Sequence, residues 1–286
     1  MHETSRKGLA IPGATFETVG EPIALGLKHG YPTIRVVGAG ITGARLLNAL
    51  RRTGVEGDVS FVRMDVDGSA AAADATIPAF EGVDVVVLLV STRELFALQA
   101  LISLAEAARN TGALVIAMVA HPPSSGINAR SATSMLAEYA DALILLPVRP
   151  HASTVSSLFH AYISATVDGL SEGFAAATPE GADFLDVRSV FAGRREAHIG
   201  MGQATGTGRA ARAATAAIID LEPANLRNAH GALVLIAGSR LLRLKEIAEV
   251  ANEVFASLPG DASRALGVHY DERLDTTLRV TIITSR

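Results

Sequence analysis

The sequence predicts an α/β fold with a doubly wound parallel sheet, a long central helix and a smaller second domain of the α+β class. Short apolar strands alternate with amphipathic helices from residue 34 to residue 146, the pattern of a parallel sheet covered by helices. Residues 85–90 are apolar throughout, as expected for a strand buried on both faces. After Pro147 the alternation stops and a long helical stretch follows.

The individual elements follow from hydrophobic periodicity and from Gly and Pro punctuation. In the first half, strands are predicted at residues 34–37, 59–63, 85–90, 114–119 and 143–146, with helices after the first, third and fourth. In the second half, helices are predicted at 153–174, 209–219 and 247–254, and strands at 232–237, 265–270 and 278–284. We therefore divide the chain into an N-terminal arm (1–32), a nucleotide-binding-type domain (33–152), a central helix and linker (153–180) and a C-terminal domain (181–286).

Composition excludes several classes of protein. Of the 286 residues, 49% are hydrophobic, and the net charge is -4, which gives no electrostatic reason to expect nucleic acid as a partner. No apolar run approaches the length of about 20 residues that spans a bilayer, and the N-terminus shows no signal peptide. The chain lacks cysteine, and its eight histidines are scattered without metal-ligand spacing. We expect a cytoplasmic protein without a metal.

A glycine-rich turn joins the first predicted strand to the first helix. Gly38-Ala39-Gly40-Ile41-Thr42-Gly43 fits the pattern G-x-G-x-x-G, in which backbone amides and a helix N-terminus attract a phosphate. Read alone, the turn is compatible with a Rossmann-type NAD(P)-dependent oxidoreductase, in which Asp65 at the end of the second strand would bind a ribose. A tight turn with nothing bound is the alternative.

The second half carries the more specific resemblance to a known family. Residues 183–190, Asp-Phe-Leu-Asp-Val-Arg-Ser-Val, resemble the synergy loop and following helix of the FtsZ/tubulin superfamily, and residues 199–204 resemble its G-I-G-x-A segment. Residues 231–238 and 278–284 resemble its C-terminal strands. The resemblance runs from residue 34 to residue 286 and implies the tubulin/FtsZ GTPase-like fold. Members of the family are cytoskeletal GTPases that stack head to tail, so that the synergy loop of one subunit completes the nucleotide site of the next.

The departures from the family pattern concern the nucleotide. Where FtsZ and tubulin carry G-G-G-T-G-T-G after the fourth strand, this chain has Arg93-Glu94-Leu95-Phe96-Ala97-Leu98-Gln99. Ser91-Thr92-Arg93-Glu94 fits an S-x-x-E capping box, which would satisfy the helix amides that otherwise face phosphate. The segment between Asp67 and Asp84 and the loop after Pro147 are shorter than in the family. At the guanine-contacting positions, Ser156 and His160 replace an aromatic residue and a carboxylate.

Three side chains are candidates for catalysis or for contact between subunits. Asp183 and Asp186 match the family's catalytic aspartates, whereas Gly181 replaces its asparagine. They could polarise a water if GTPase activity is retained; helix capping or subunit contact is the alternative. Arg93 precedes a predicted helix, where a cation is disfavoured, so we expect it either to meet an acidic group, within the subunit or across a contact, or to face solvent. Leu95 and Phe96 are expected in the core from their helical spacing.

From these features we expect an FtsZ-like cytoskeletal protein that forms head-to-tail filaments without GTP hydrolysis, with a scaffold in membrane remodelling as its implied role. On this view Gly38, Gly40, Thr42, Gly43 and Asp65 line a vestigial nucleotide site, and no cofactor is expected. GTP or GDP would bind only if the pocket survives. The expected partner is the protein itself, with any membrane association going through another protein. An active filament-forming GTPase and the oxidoreductase remain alternatives.

Overall fold

The computed structural model describes residues 11, 14–19, 32–55, 58–66, 80–121, 126–147, 155–172, 184–191 and 196–286. Within them, the strands are β1 (Ala14–Thr18), β2 (Ile34–Ala39), β3 (Val59–Val66), β4 (Val85–Ser91), β5 (Leu114–His121), β6 (Ala142–Pro147), β7 (Glu196–Thr205), β8 (Gly231–Gly238), β9 (Ser263–Tyr270) and β10 (Thr277–Ser285). The helices are α1 (Gly40–Thr53), α2 (Leu95–Asn110), α3 (Ile127–Tyr139), α4 (Val155–Glu172), α5 (Phe184–Phe191), α6 (Arg209–Leu221), α7 (Pro223–Arg227) and α8 (Leu244–Phe255), with a short 3-10 helix at Glu272–Leu274.

The described strands form one ten-stranded sheet in the order β1-β3-β2-β4-β5-β6-β7-β10-β8-β9. Strands β3, β2, β4, β5 and β6 pair in parallel, as the alternation of strands and helices predicts. Every residue of β4 is buried, because helices cover both faces of the sheet. The predicted α/β fold with a mostly parallel sheet is confirmed.

The N-terminal segment differs from the expected arm or loop. Residues Ala14–Thr18 form β1, an edge strand that pairs antiparallel with β3. Its sequence, Ala-Thr-Phe-Glu-Thr, is too short for a recognisable alternation of apolar and polar residues. The pairing with β3 defines this strand, and such a non-local contact leaves little trace in a five-residue sequence.

The second half of the sheet is mixed. Strand β10 lies between β7 and β8 and is antiparallel to both, whereas β9 is parallel to β8. The two halves join through a short parallel ladder between β6 and β7, in which Leu143 pairs with Glu196 and Ile144 with Ala197. One hydrophobic core also crosses from half to half beneath α1, α4 and α5, and includes Leu47, Val167, Val190 and Leu235. The sheet and this core therefore hold the two halves together.

A partly buried polar cluster connects α4, the second half of the sheet and the end of α1. Arg273 donates from Nη1 to the carbonyl oxygen of Gly54 at 3.0 Å and from Nε to Asp271 Oδ1 at 2.7 Å. Its Nη2 lies 3.6 Å from Oδ2 of Asp168 on α4. Burial raises the pKa of Asp168 to about 6, and burial lowers the pKa of His269 on β9 to about 3. The cluster therefore ties stability to pH in two opposite ways.

We expect His269→Gln to make the protein less sensitive to acid. Between about pH 6.5 and pH 3 the unfolded chain binds a proton at His269 that the folded protein does not, so stability falls as the pH falls. The variant should remove a slope of up to about 1.4 kcal/mol per pH unit from the free energy of unfolding. Urea titrations from pH 4 to pH 7 would measure it, and a slope equal to that of wild type would contradict the assignment.

Asp168→Asn is the matched variant with the opposite sign. Between about pH 4 and pH 6 the folded protein holds a proton on Asp168 that the unfolded chain has lost, so this group lowers stability as the pH rises through about 6. Its removal should leave the acid-induced loss of stability steeper than in wild type.

Candidate functional site

The glycine turn lies at the carboxyl end of β2 and is shaped by close packing. Gly40 opens α1 with a φ of +67°, in the left-handed region that favours glycine. A Cβ on Gly38 would lie 2.4 Å from the carbonyl oxygen of Gly43, and a Cβ on Gly43 would lie 2.5 Å from the carbonyl oxygen of Leu89 on β4. Both glycines are therefore required for α1 to approach β2 and β4, whether or not a phosphate binds.

The carboxylate of Glu94 occupies the N-terminus of α1. The backbone N–H of Thr42 donates to Glu94 Oε1 at 3.1 Å and Oε2 at 3.3 Å. The same carboxylate covers Gly40, where an added Cβ would lie 3.0 Å from Glu94 Cδ. A helix N-terminus carries partial positive charge and free N–H groups, and here an acidic side chain of the same protein accepts from one of them, the N–H of Thr42. The Glu94 carboxylate is therefore the anion at this turn.

GTP is the cofactor that the family resemblance implies, and its phosphates do not fit this turn as it stands. A phosphate at the start of α1 would need the Thr42 amide that Glu94 holds, and it would bring a second negative charge against the carboxylate. Among the described residues, no group of three or more His, Asp or Glu side chains is placed to hold a metal ion.

The predicted capping box at the start of α2 is wrong. Glu94 is the residue before the helix, but its side chain reaches α1 and not the amides of α2. Ser91 Oγ accepts from the N–H of Arg93 at 3.3 Å, and the N–H of Glu94 donates to the carbonyl oxygen of Ser91 at 3.0 Å. The sequence fits the S-x-x-E pattern, but in the structure the Glu94 carboxylate accepts from the Thr42 N–H of the neighbouring helix α1.

The residues around Glu94 present an exposed surface. Phe96 is 65% exposed and Ile41 is 67% exposed, so the expectation that Phe96 lies in the core is wrong, whereas Leu95 packs partly against the core. Helical periodicity places Phe96 next to the apolar face of α2, but it does not show that the buried part of this face begins at Leu95 and leaves Phe96 outside. Arg93 is exposed, and within the described ranges its side chain makes no ion pair.

Asp65 is engaged by the protein itself. Arg63 Nε donates to Asp65 Oδ2 at 2.7 Å, and Arg63 Nη2 lies 3.2 Å from Glu17 Oε2 on β1. Asp65 is also paired across the ladder with Thr15 of β1. A ribose at this position would compete with an existing ion pair and with the edge strand, so the dinucleotide interpretation of Asp65 finds no support.

Of the two aspartates expected at the synergy loop, the structure describes Asp186, which lies away from the glycine turn. Asp183 lies outside the described residues. Asp186 is exposed in the first turn of α5, and two residues later Arg188 Nη2 donates to the carbonyl oxygen of Gly112 at 2.7 Å. Gly112 precedes the amino end of β5, whereas the glycine turn follows the carboxyl end of β2. Asp186 and the turn therefore lie at opposite edges of the sheet, about 25 Å apart by the length of the strands.

At the expected guanine-contacting positions, the side chain of Ser156 lies outside the described residues. His160 is half-buried on α4 and hydrogen-bonds the backbone of Ala49 on α1. Burial lowers the pKa of His160, and the nearby guanidinium groups of Arg52 and Arg273 lower it further. This histidine contributes to the contact between α4 and α1.

Comparison with known proteins shows which family this chain resembles. The model of the FtsZ family C-terminal domain matches residues 195–286. The chain is 32% identical over 198 residues to cell division protein FtsZ 2 of Rhizobium meliloti (strain 1021), a match that covers 64% of this chain and 57% of that protein. It is also 32% identical over 197 residues to FtsZ 1 of the same organism, covering 63% and 33%. The matches thus span less than two thirds of either relative.

Solved structures establish the fold over nearly the whole chain. An empty FtsZ dimer from M. jannaschii superimposes with a TM-score of 0.77 at 21% identity, covering 91% of this chain and 90% of that one. CetZ from Methanosaeta thermophila strain DSM 6194 superimposes with a TM-score of 0.65 at 15% identity, covering 89% and 86%. The architecture is that of the tubulin/FtsZ fold.

We expect Glu94→Ala to lower the free energy of unfolding by about 1 kcal/mol, because it removes the group that caps α1. Inorganic phosphate should then restore part of the loss, since an anion can take the vacated position at the helix N-terminus. Urea titrations with and without phosphate would measure both effects. Glu106→Ala, an exposed glutamate on α2, is the matched control and should show neither. Equal behaviour of the two variants would show that Glu94 does not cap α1.

Proposed function

We propose that this chain, which resembles FtsZ in sequence and has the tubulin/FtsZ fold, assembles head to tail into filaments without binding or hydrolysing GTP. The observation that carries the proposal is the Glu94 carboxylate at the N-terminus of α1. An anion that belongs to the chain holds the position at which a nucleotide phosphate would have to bind. Assembly then requires only the protein.

The two edges of the sheet present surfaces that suit such a contact. The edge with the glycine turn exposes Ile41, Phe96 and the cation Arg93. The opposite edge exposes Leu185 (67%) and the anion Asp186 on α5. Stacking one edge on the other would join apolar side chains to apolar side chains and Arg93 to Asp186. Since the two surfaces differ, the contact is heterologous and repeats into an open filament unless the rotation closes a ring.

The relatives support self-association as the mode of action. One of the similar solved structures is an FtsZ dimer described as empty, and the similar curated proteins are cell division proteins. In this proposal Asp186, and Asp183 beside it in the sequence, make contact with the next subunit and have no phosphate to act on. The chain would therefore be a structural protein and not an enzyme.

We further propose a cytoplasmic scaffold as the cellular role, with any attachment to a membrane made through another protein. None of the helices in the described part of the chain is long and apolar enough to cross a membrane. A role in membrane remodelling would follow from the shape and rigidity of the filament, which the scaffold would impose on what it binds.

We expect calorimetric titration of the purified protein with GTP or GDP to show no binding tighter than about 1 mM, which corresponds to about -4 kcal/mol. The reason is the occupied Thr42 amide and the absence of glycines from Arg93 to Gln99. Phosphate release from GTP should equal the buffer blank. Micromolar binding with hydrolysis would instead favour an active filament-forming GTPase.

We expect filaments in electron micrographs and in light scattering at high protein concentration with no nucleotide. Phe96→Glu and Leu185→Glu should each abolish them, because either variant buries an unpaired carboxylate in the contact. Ile219→Glu is the matched control, since Ile219 is 66% exposed on α6 beside Asp220, which bonds the middle of β7. A wild-type protein that stays monomeric at all concentrations would remove the proposal.

A charge exchange tests the pairing of the two edges. Arg93→Glu and Asp186→Arg should each weaken assembly, because each leaves like charges opposite one another across the contact. The double variant restores the pair in reverse and should assemble better than either single variant. If the losses of assembly in the two single variants simply add in the double variant, Arg93 and Asp186 do not contact each other in the filament.

A further inference from the structure

A groove opens over the middle of the sheet, on the face that carries α3. Leu145 lies on β6, between β5 and β7, yet 43% of it is exposed. Interior strands of mostly parallel sheets are normally covered on both faces. The cavity over Leu145 measures about 520 Å³ and is walled by α3 on one side and by β7 on the other. Its volume lies within the range of small-molecule sites, which often form where two parts of a chain meet.

The strand register arranges the polar groups of the groove along its length. Leu143 pairs with Glu196, so Leu145 is level with His198 two residues further on, and His121 pairs with Pro147 beyond it. His121 and Arg130, in the first turn of α3, therefore lie at the end of the groove near the carboxyl end of β6. Glu196 lies at the other end. The groove has a cationic end, an apolar floor and an acidic end.

Two histidine nitrogens in the groove lack a hydrogen-bond partner among the described residues. His121 Nδ1 and His198 Nε2 are buried and make no hydrogen bond within the described ranges, and Nε2 of His198 approaches Glu196 Oε1 at 3.5 Å. Arg130 is exposed and makes no ion pair with a described residue. Buried polar atoms of native proteins normally have partners. His121 Nδ1 and the Arg130 guanidinium, beside an open apolar floor, are therefore positioned to bind polar atoms of a ligand.

We propose that this groove binds a small-molecule anion with an apolar body, such as an aromatic carboxylate or sulfonate. The anionic head binds Arg130 and His121, and His198 lies beside the body of the ligand. Leu143 and Leu145 form the floor beneath the apolar body. The carboxylate of Glu196 disfavours the reverse orientation, in which the anionic head of the ligand would lie beside it. Neither the glycine turn nor filament formation is needed for this binding.

The ligand would also bridge the two halves of the protein. Arg130 and Leu145 belong to the first half and His198 to the second, and in the described part of the chain the ladder that joins the halves here pairs Leu143 with Glu196 and Ile144 with Ala197. A molecule that touches both sides stabilises the folded arrangement in proportion to the logarithm of its concentration. The ligand would thus stabilise the contact between β6 and β7, where the ladder is short.

The probe for this site is 1-anilinonaphthalene-8-sulfonate, which combines an aromatic body with a sulfonate, titrated calorimetrically into the full chain. We expect one saturable site. Arg130→Gln should weaken it about tenfold, the loss of one charge-assisted hydrogen bond. Leu145→Trp should abolish it by filling the floor. Arg45→Gln, an exposed arginine on α1, is the control and should bind like wild type. N-phenyl-1-naphthylamine, which lacks the sulfonate, should bind more weakly.

Either of two results would overturn the proposal: wild-type affinity in both Arg130→Gln and Leu145→Trp, or equal affinity for the neutral probe. Urea titration of each variant verifies that it is folded, and Arg130 is exposed, so its replacement should cost little stability. If Leu145→Trp instead changes the oligomeric state and leaves probe binding intact, the groove is a protein contact and the ligand assignment is wrong.

Discussion

The common direction of four neighbouring strands decides where the two candidate contact surfaces at the strand ends lie. Strands β2, β4, β5 and β6 are adjacent and parallel, so all their carboxyl ends meet at one edge of the sheet. The glycine turn and Glu94 follow two of these ends. The amino ends meet at the other edge, where Gly112 binds Arg188 of α5. A parallel sheet of this kind gives a subunit two unlike ends, and two unlike ends are what a polar filament requires.

The Glu94 carboxylate changes the thermodynamics of such a subunit. A nucleotide shifts a conformational or assembly equilibrium only by its difference in affinity between the two states. An anion held by the chain itself is present in every state at the same effective concentration, so it stabilises the turn but cannot switch it. Under the proposed mode of assembly, its strength would be set by the exposed apolar groups and charges at the two edges, and by protein concentration.

The fold could be predicted because its signals are local and repeated. Fully apolar strands such as residues 85–90 and regular helix–strand alternation identify a parallel sheet without knowledge of any contact. The same reasoning failed for the five residues of β1, whose pairing with β3 is non-local. It also missed the exposure of Phe96, because periodicity identifies a helix face but not where a neighbouring element stops covering it.

The candidate site was harder for a related reason. The sequence analysis singled out Gly38, Gly40, Gly43 and Glu94, but assigned the Glu94 side chain to its own helix. Its true partner is the amide of Thr42, 52 residues away in the sequence, and no local pattern distinguishes the two. One signal in the sequence could have indicated this contact. Glu94 lies three positions after a buried strand, and in a parallel sheet that strand can lie next to the strand that ends in the glycine turn.

A bound nucleotide also measures time, because its hydrolysis marks how long a subunit has been in a polymer. The carboxylate of Glu94 is part of the chain and has no second chemical state of that kind. Old and new subunits of a filament built from this protein would be identical, so the polymer would carry no record of its age. Its removal would have to come from outside, by dilution, by a competing partner or by proteolysis, and the cell would regulate it by controlling how much protein is made and degraded.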